Sequence, residues 1–175
     1  MTNITTPTIK PVAYMLVGVP GSGKSTWAEP FLTRDYKLVS SDEYIEKAAA
    51  ALGVTYGDVF KVTIDAATKW MNKCVESYTK AMFNLVWDQT NLTMKSRRKK
   101  LDTLMAAGYD VVAVTFEIPD AELTARRTGR AAATGKTIAP SILESMGKTY
   151  QRPTRLEGFS KVIVVTPTEE YEATE

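Results

Sequence analysis

Residues Gly18 to Thr26 read GVPGSGKST, and this run concentrates more usable chemistry than any other part of the chain. Its spacing is G-x-x-x-x-G-K-[ST], the pattern of a loop that cradles phosphate. Gly18, Gly21 and Gly23 allow turns and close approaches that a side chain would block. After Pro20, which has no N–H to give, the backbone N–H groups of Gly21, Ser22 and Gly23 can then form an anion nest at a helix N-terminus. Lys24 adds a mobile positive charge for the outer phosphates, Ser25 a hydroxyl for Mg2+, and Thr26 closes the run. The whole segment is the candidate ATP site.

Two further polar clusters follow apolar runs. Asp42 comes after Tyr36–Ser40. A carboxylate there can align an acceptor hydroxyl and take its proton; the competing reading is an N-cap for a helix starting near Glu43. Asp88 ends Asn84–Trp87, as an acid that holds Mg2+ directly or through water does; it could equally be a turn residue. Gln89, Thr90 and Asn91 offer amide and hydroxyl groups to an acceptor or to the loop geometry. Arg126 and Arg130 are four apart and share a helix face. They either fold over ATP and stabilise transition-state charge or form a solvated stripe, and Arg127 is expected to point elsewhere. Lys95 to Lys100 is a basic cluster, read as solvated surface with nucleic-acid contact as the alternative.

Composition narrows the chemistry. The 175 residues suit one domain with a real core, 44% of them hydrophobic and 24% charged. With no histidine and one cysteine, Cys74, neither His-based catalysis nor an internal disulfide nor a thiolate metal cluster is possible. Acid–base work falls to carboxylates, lysines, arginines and hydroxyls. No apolar run is long enough to span a membrane and no secretory signal is visible, so a cytoplasmic location is expected. The net charge of +2 is uneven. Residues 91–155 hold 12 Lys/Arg against 6 Asp/Glu, which leaves −4 for the remainder. Besides ordinary scatter, such a split can mean a face that meets polyanions, ATP and nucleic acid among them.

These residues need a scaffold that brings distant segments to one edge. Strands are expected at 12–17, 36–40, 84–87, 111–116 and 162–165, alternating with helices. Asp58 is read as the N-cap of a long amphipathic helix with Trp70, Met71 and Cys74 in its core stripe. Thr93 is read as the cap of a helix ended by Gly108, and Ser141 as opening a capping box. The expected fold is α/β: a three-layer sandwich around a parallel five-stranded sheet, with an arginine-bearing helical lid. Residues 1–11 form an N-terminal tail, 12–166 the domain, about 126–140 the lid, and 167–175 an acidic, frayed tail. Right-handed crossovers then gather Gly18–Thr26, Ser40–Tyr44 and Asp88–Asn91 in one crevice.

A phosphate loop does not choose a reaction. No N-K-x-D guanine-reading element is present, and ABC and AAA-type motors need larger domains with further motifs. A small phosphotransferase fits better. GVPGSGKSTWA at 18–28, SDEY at 41–44, DQTNL at 88–92, ELTARRTGR at 122–130 and Ala139-Pro140 with its following helix resemble the kinase domain of phage-type polynucleotide 5′-hydroxyl kinases and their P-loop relatives. The resemblance covers about residues 12–165. It implies transfer of the γ-phosphate of ATP to a hydroxyl of DNA or RNA. It casts Lys24 and Ser25 as phosphate and magnesium ligands, Asp42 as general base, Arg126 and Arg130 as ATP lid, and Asp88 to Asn91 as acceptor side. It also reaches phage enzymes that phosphorylate the hydroxymethyl group of modified pyrimidines in DNA. The departures are Ile45, where the phage enzyme has an acceptor-phosphate arginine, one extra residue in the DQTN run, and no following phosphatase domain. A nucleoside, nucleotide or small-metabolite kinase and a nucleotide-binding regulator remain the alternatives.

Overall fold

In this computed structural model, residues 10–32 and 35–173 are described. The first nine positions of the expected N-terminal tail, and residues 174–175 of the C-terminal one, lie outside that range.

The first strand, β1 (Val12–Val17), alternates strictly. Ala13 and Met15 face one side of the sheet, Tyr14 and Leu16 the other, as a two-residue repeat requires. Both faces are apolar because β1 is central: it pairs in parallel with β3 (Asn84–Trp87) and with β4 (Asp110–Phe116). β2 (Tyr36–Val39) adds beyond β3 and β5 (Lys161–Val165) beyond β4. A sixth strand, β6 (Glu170–Glu172), pairs antiparallel with β5, giving the order β2-β3-β1-β4-β5-β6. The fold is therefore the expected α/β sandwich with a mostly parallel sheet, but of six strands rather than five. β6 falls in the segment read as frayed. The Thr166 N–H donates to the Glu169 carbonyl at 2.8 Å to close the turn, and the Trp27 indole N–H donates to Glu170 Oε2 at 2.6 Å.

Two cores sandwich the sheet. On one side α3 (Tyr56–Lys80) contributes Met71 and Val75, and α4 (Met94–Ala106) contributes Leu101 and Leu104, packed on Met15, Leu85 and Ala113. On the other, α1 (Lys24–Leu32) lays Ala28, Trp27 and Phe31 over Leu16, Val86 and Val114. Each such large aliphatic side chain contributes about 1.5–3 kcal/mol on burial. A third cluster joins α2 (Asp42–Leu52) to α3 through Ile45, Ala49, Val59 and Ala67. Of the expected core stripe of α3, Met71 is buried, Trp70 packs at its margin and Cys74 is half-buried.

Several ends differ from expectation for local reasons. α3 is capped by Thr55, with Asp58 three residues inside answering the Thr55 N–H at 2.8 Å, so Asp58 is half of a capping box and not the cap. Thr93 caps α4 as expected, accepting from the Ser96 N–H at 3.1 Å, and Gly108 follows its end at φ +85°. α5 (Asp120–Thr134) continues past Arg130 to a left-handed Gly135. α6 (Pro140–Thr149) starts on Pro140, whose fixed φ suits a first helical position, and not on a Ser141 box.

Candidate active site

β1 ends at Val17 and α1 begins at Lys24, so the phosphate loop lies where the central strand turns into a helix. Gly21 and Gly23 have φ of +85° and +97°. A Cβ on Gly21 would come within 2.9 Å of Arg127 Cγ, and one on Gly23 within 3.1 Å of Arg126 NH1. The left-handed conformation favours glycine at both positions, and the arginines of α5 crowd them.

Lys24 is only 9% exposed. Its ammonium donates to the Gly18 and Val19 carbonyls at 3.0 and 3.1 Å, curled over the loop. Burial pulls its pKa down to about 8, against the pull of the Asp88 and Asp42 carboxylates, while Arg130 and Lys136 push the same way as burial. The Ser25 hydroxyl donates to Asp88 Oδ2 at 2.8 Å, which unites the two candidate magnesium ligands. Burial raises the Asp88 pKa, partly offset by Lys24 and Ser25.

Asp42 is the first residue of α2, after the N-cap Ser41. Its carboxylate is half-exposed and is held by the Tyr56 hydroxyl, which donates to Oδ1 at 2.7 Å, and by Lys136 on Oδ2. Sequence reading missed both partners. Neither is near Asp42 in the chain: Tyr56 is 14 residues away and Lys136 is 94. The available signal was that Lys136 is the sole charge in 131–137. Ile45 is fully buried, so the residue on the Asp42 face one turn on is Glu46.

The arginines of α5 divide. Arg126 donates to the Ser22 carbonyl at 3.2 Å and pairs with Glu122. Arg127, expected to point away, donates to the Pro20 carbonyl at 2.8 Å. Arg130 has a buried Nε with no partner among the described residues. Arg126 and Arg130 line a crevice of about 600 Å3 with the Gly21–Trp27 segment at its polar end and Phe116, Ile118, Val165 and Pro167 at its apolar end. An orphaned guanidinium N–H, a glycine cradle and an apolar slot are a donor set that fits a nucleoside triphosphate. No group of three or more His, Cys, Asp or Glu among the described residues could hold a metal alone. Ser25 and Asp88 suit Mg2+, which takes few protein ligands and completes its shell with phosphate oxygens and water.

The acceptor-side run is only partly in the crevice. Gln89 Oε1 accepts from the Trp87 indole N–H at 3.0 Å, and the Thr90 carbonyl accepts from the Gly18 N–H at 3.0 Å, which ties this loop to the phosphate loop. Of the two roles read for Asn91, the structure shows the one in the loop geometry and not the acceptor contact. Asn91 is buried at φ +49°, its amide donates to the Leu16 carbonyl at 2.7 Å, and Lys100 donates to its Oδ1. The basic cluster is also split. Arg97 is fully buried, bidentate to Glu157 at 2.7 and 2.8 Å, and donates to the Asn91 and Gln151 carbonyls; Lys95, Arg98 and Lys99 are exposed.

Residues 14–153 match the family described as the AAA domain, AAA_33. The chain belongs to this family of P-loop kinases. The description shares a word with the motors set aside above, but the family is one of kinases, and this P-loop kinase-family chain has kinase-like neighbours. It superimposes on a structure from the PezAT toxin–antitoxin system of Streptococcus pneumoniae with a TM-score of 0.71, at 16% identity over 91% of this chain and 68% of that one. A Chloroflexus aurantiacus protein described as a candidate kinase gives 0.68, at 17% identity over 91% and 86%. A chain of the Pnkp1/Rnl/Hen1 RNA repair complex gives 0.65, at 25% identity over 85% of this chain and 46% of that longer one. No helix among the described residues of this family member is long and apolar enough to cross a membrane.

Proposed function

We propose that the protein is an ATP-dependent kinase that transfers the γ-phosphate to a hydroxyl of a nucleic acid. The carrying observation is that the Ser25 hydroxyl of the phosphate loop donates to Asp88 Oδ2 at 2.8 Å, while Asp42 follows β2, the parallel neighbour of the strand that Asp88 ends. An acceptor hydroxyl lying between Asp42 and the ATP tail donates its proton to the carboxylate as its oxygen bonds to the γ-phosphorus. The bond from that phosphorus to the β–γ bridging oxygen breaks, and ADP leaves. Lys24, Arg126 and Arg130 surround the charge that the three equatorial oxygens develop. Mg2+, held by Ser25 and Asp88, supplies charge neutralisation on the phosphates when bound.

A nucleic-acid acceptor is supported by the surplus of positive charge in 91–155 and by the likeness to a chain of an RNA repair complex. A hydroxymethyl group on a modified pyrimidine in DNA is the second reading. It is favoured by the α2 surface one turn beyond Asp42, where Ile45 is buried and Glu46 carries the wrong sign to grip the phosphate of a strand end, while Lys47 pairs with Glu43. The test is incubation with γ-labelled ATP and duplex DNA, single strands, RNA, hydroxymethylated DNA or mononucleosides, followed by mapping of the labelled oxygen. Label on a 5′ end or on a hydroxymethyl group distinguishes the two readings. Label on mononucleosides alone overturns both.

A further inference from the structure

The acceptor side of the crevice is more elaborately built than one base requires. Both oxygens of Asp42 are engaged, Oδ1 by the Tyr56 hydroxyl and Oδ2 by Lys136. Lys136 Nζ also lies 3.3 Å from Glu46 Oε1 and 4.1 Å from the centre of the Tyr56 ring. The Lys136 side chain is 13% exposed, against 47% for Asp42 and 60% for Glu46. A lysine free to extend into water is instead drawn under two carboxylates and over an aromatic face, which is a favourable seat for an ammonium.

The backbone is shaped to deliver it. Gly135 has φ +67°, and a Cβ there would meet Thr55 Cβ at 2.9 Å. The end of α5 thus abuts the N-cap of α3 directly, and Lys136 follows at the point of contact. The same helix carries Arg126 and Arg127 onto the phosphate loop about two to three turns earlier. The other groups whose charge reaches this spot are Lys24 of the phosphate loop, Asp88 bonded to Ser25 of that loop, and Arg130 of α5.

The electrostatic consequence is specific. Without Lys136 the approach to the base would be lined by Asp42 and Glu46, two like charges facing an acceptor that is itself a polyanion. The lysine of α2, Lys47, pairs with Glu43 instead, at 2.7 Å.

We infer that Lys136 and Tyr56 are positioning residues of the proposed kinase: together they fix the Asp42 carboxylate by both oxygens, and Lys136 balances Glu46 so that an anionic acceptor can reach the base. This rests on the nucleic-acid kinase reading. It is tested in the full chain with K136M, K136R, Y56F, E46Q and the K136M/E46Q pair. The acceptors are an oligonucleotide with a phosphate backbone and one of the same sequence with a neutral methylphosphonate backbone, so the reacting hydroxyl is constant. K136M is expected to raise KM for the phosphate-backbone acceptor about tenfold while moving the neutral one by about twofold or less. K136R, which keeps the charge, stays near the parent, and E46Q recovers most of the K136M loss. Y56F lowers kcat with acceptor KM unchanged. Equal losses on both backbones, no recovery by E46Q, or a K136M protein that behaves like the parent overturns the inference. Fluorescence anisotropy with the two oligonucleotides reads the same contrast without turnover. Binding contrast with no transfer to any nucleic-acid hydroxyl sinks the kinase and leaves the clamp. Transfer without contrast sinks the clamp and leaves the kinase, and neither contrast nor transfer sinks both.

Discussion

Lys24 is held by burial in a state that a triphosphate should reverse. Its pKa of about 8 lies below that of a lysine in the unfolded chain. A group depressed in this way binds more protons when unfolded, so between about pH 8 and 10.5 stability rises with pH. Lys100, pushed by burial to about 8 as well, acts in the same direction. The melting temperature of the nucleotide-free protein should therefore climb from pH 7 to pH 9.5, and less steeply in K24M. ATP, by placing negative charge beside the ammonium, should take up a proton near pH 8. Calorimetry in buffers of different ionisation enthalpy reads that uptake, and K24M abolishes it. For turnover, K24A is expected to cost on the order of 10²-fold or more, and R130A to lower kcat without moving the melting temperature. A collapse of that temperature in R130A would recast the residue as structural. Lys24, Ser25, Asp42 and Asp88 were legible because each is fixed by local spacing or by its place after an apolar run. Tyr56 and Lys136 were not, because their meaning comes only from Asp42, 14 and 94 residues away in the chain. For Asn91 the sequence left acceptor contact and loop geometry open, because only its left-handed backbone turns the side chain inward to the Leu16 carbonyl.

At the scale of one element, α4 shows where reading by composition fails and reading by period would succeed. Six residues from Lys95 to Lys100 looked like one basic stripe, yet Arg97 is in phase with Leu101 and Leu104, which are buried with it. Its guanidinium ties α4 to the Asn91 and Gln151 carbonyls and to Glu157. Removing it leaves a buried carboxylate without a partner, so R97M should destabilise the fold by about 3–5 kcal/mol in urea unfolding. The outward face carries Lys95, Arg98 and Lys99 around an open groove of about 730 Å3. Reversing the charge of Arg98 and Lys99 should leave stability nearly unchanged. If nucleic acid follows this face, the change flattens the salt dependence of oligonucleotide binding by about one unit of slope per lost phosphate contact. An unaltered slope returns the face to plain surface. The caps tell a similar story: Thr93 was readable from its neighbours, whereas the box on α3 begins at Thr55, three residues earlier than Asp58 suggested.

Across the whole molecule, the alternation of apolar strands and amphipathic helices carried the fold, because parallel strands buried on both faces announce themselves as unbroken apolar runs such as Val111–Phe116. β6 did not, since Glu-Tyr-Glu has poor strand propensity and is held at an edge by the Lys161–Glu172 pair at 3.4 Å and the Trp27 bond to Glu170. That topology is what sets Asp42, Asp88 and the glycine loop on one sheet edge, and the proposed reaction depends on that placement. The most direct measurement is single-turnover transfer from γ-labelled ATP to a nucleic-acid hydroxyl by D42N, with ATP affinity measured alongside. Loss of transfer by about 10²-fold or more with ATP affinity retained is the predicted result. Full transfer by D42N would contradict the account and leave a nucleotide-binding fold whose base lies elsewhere.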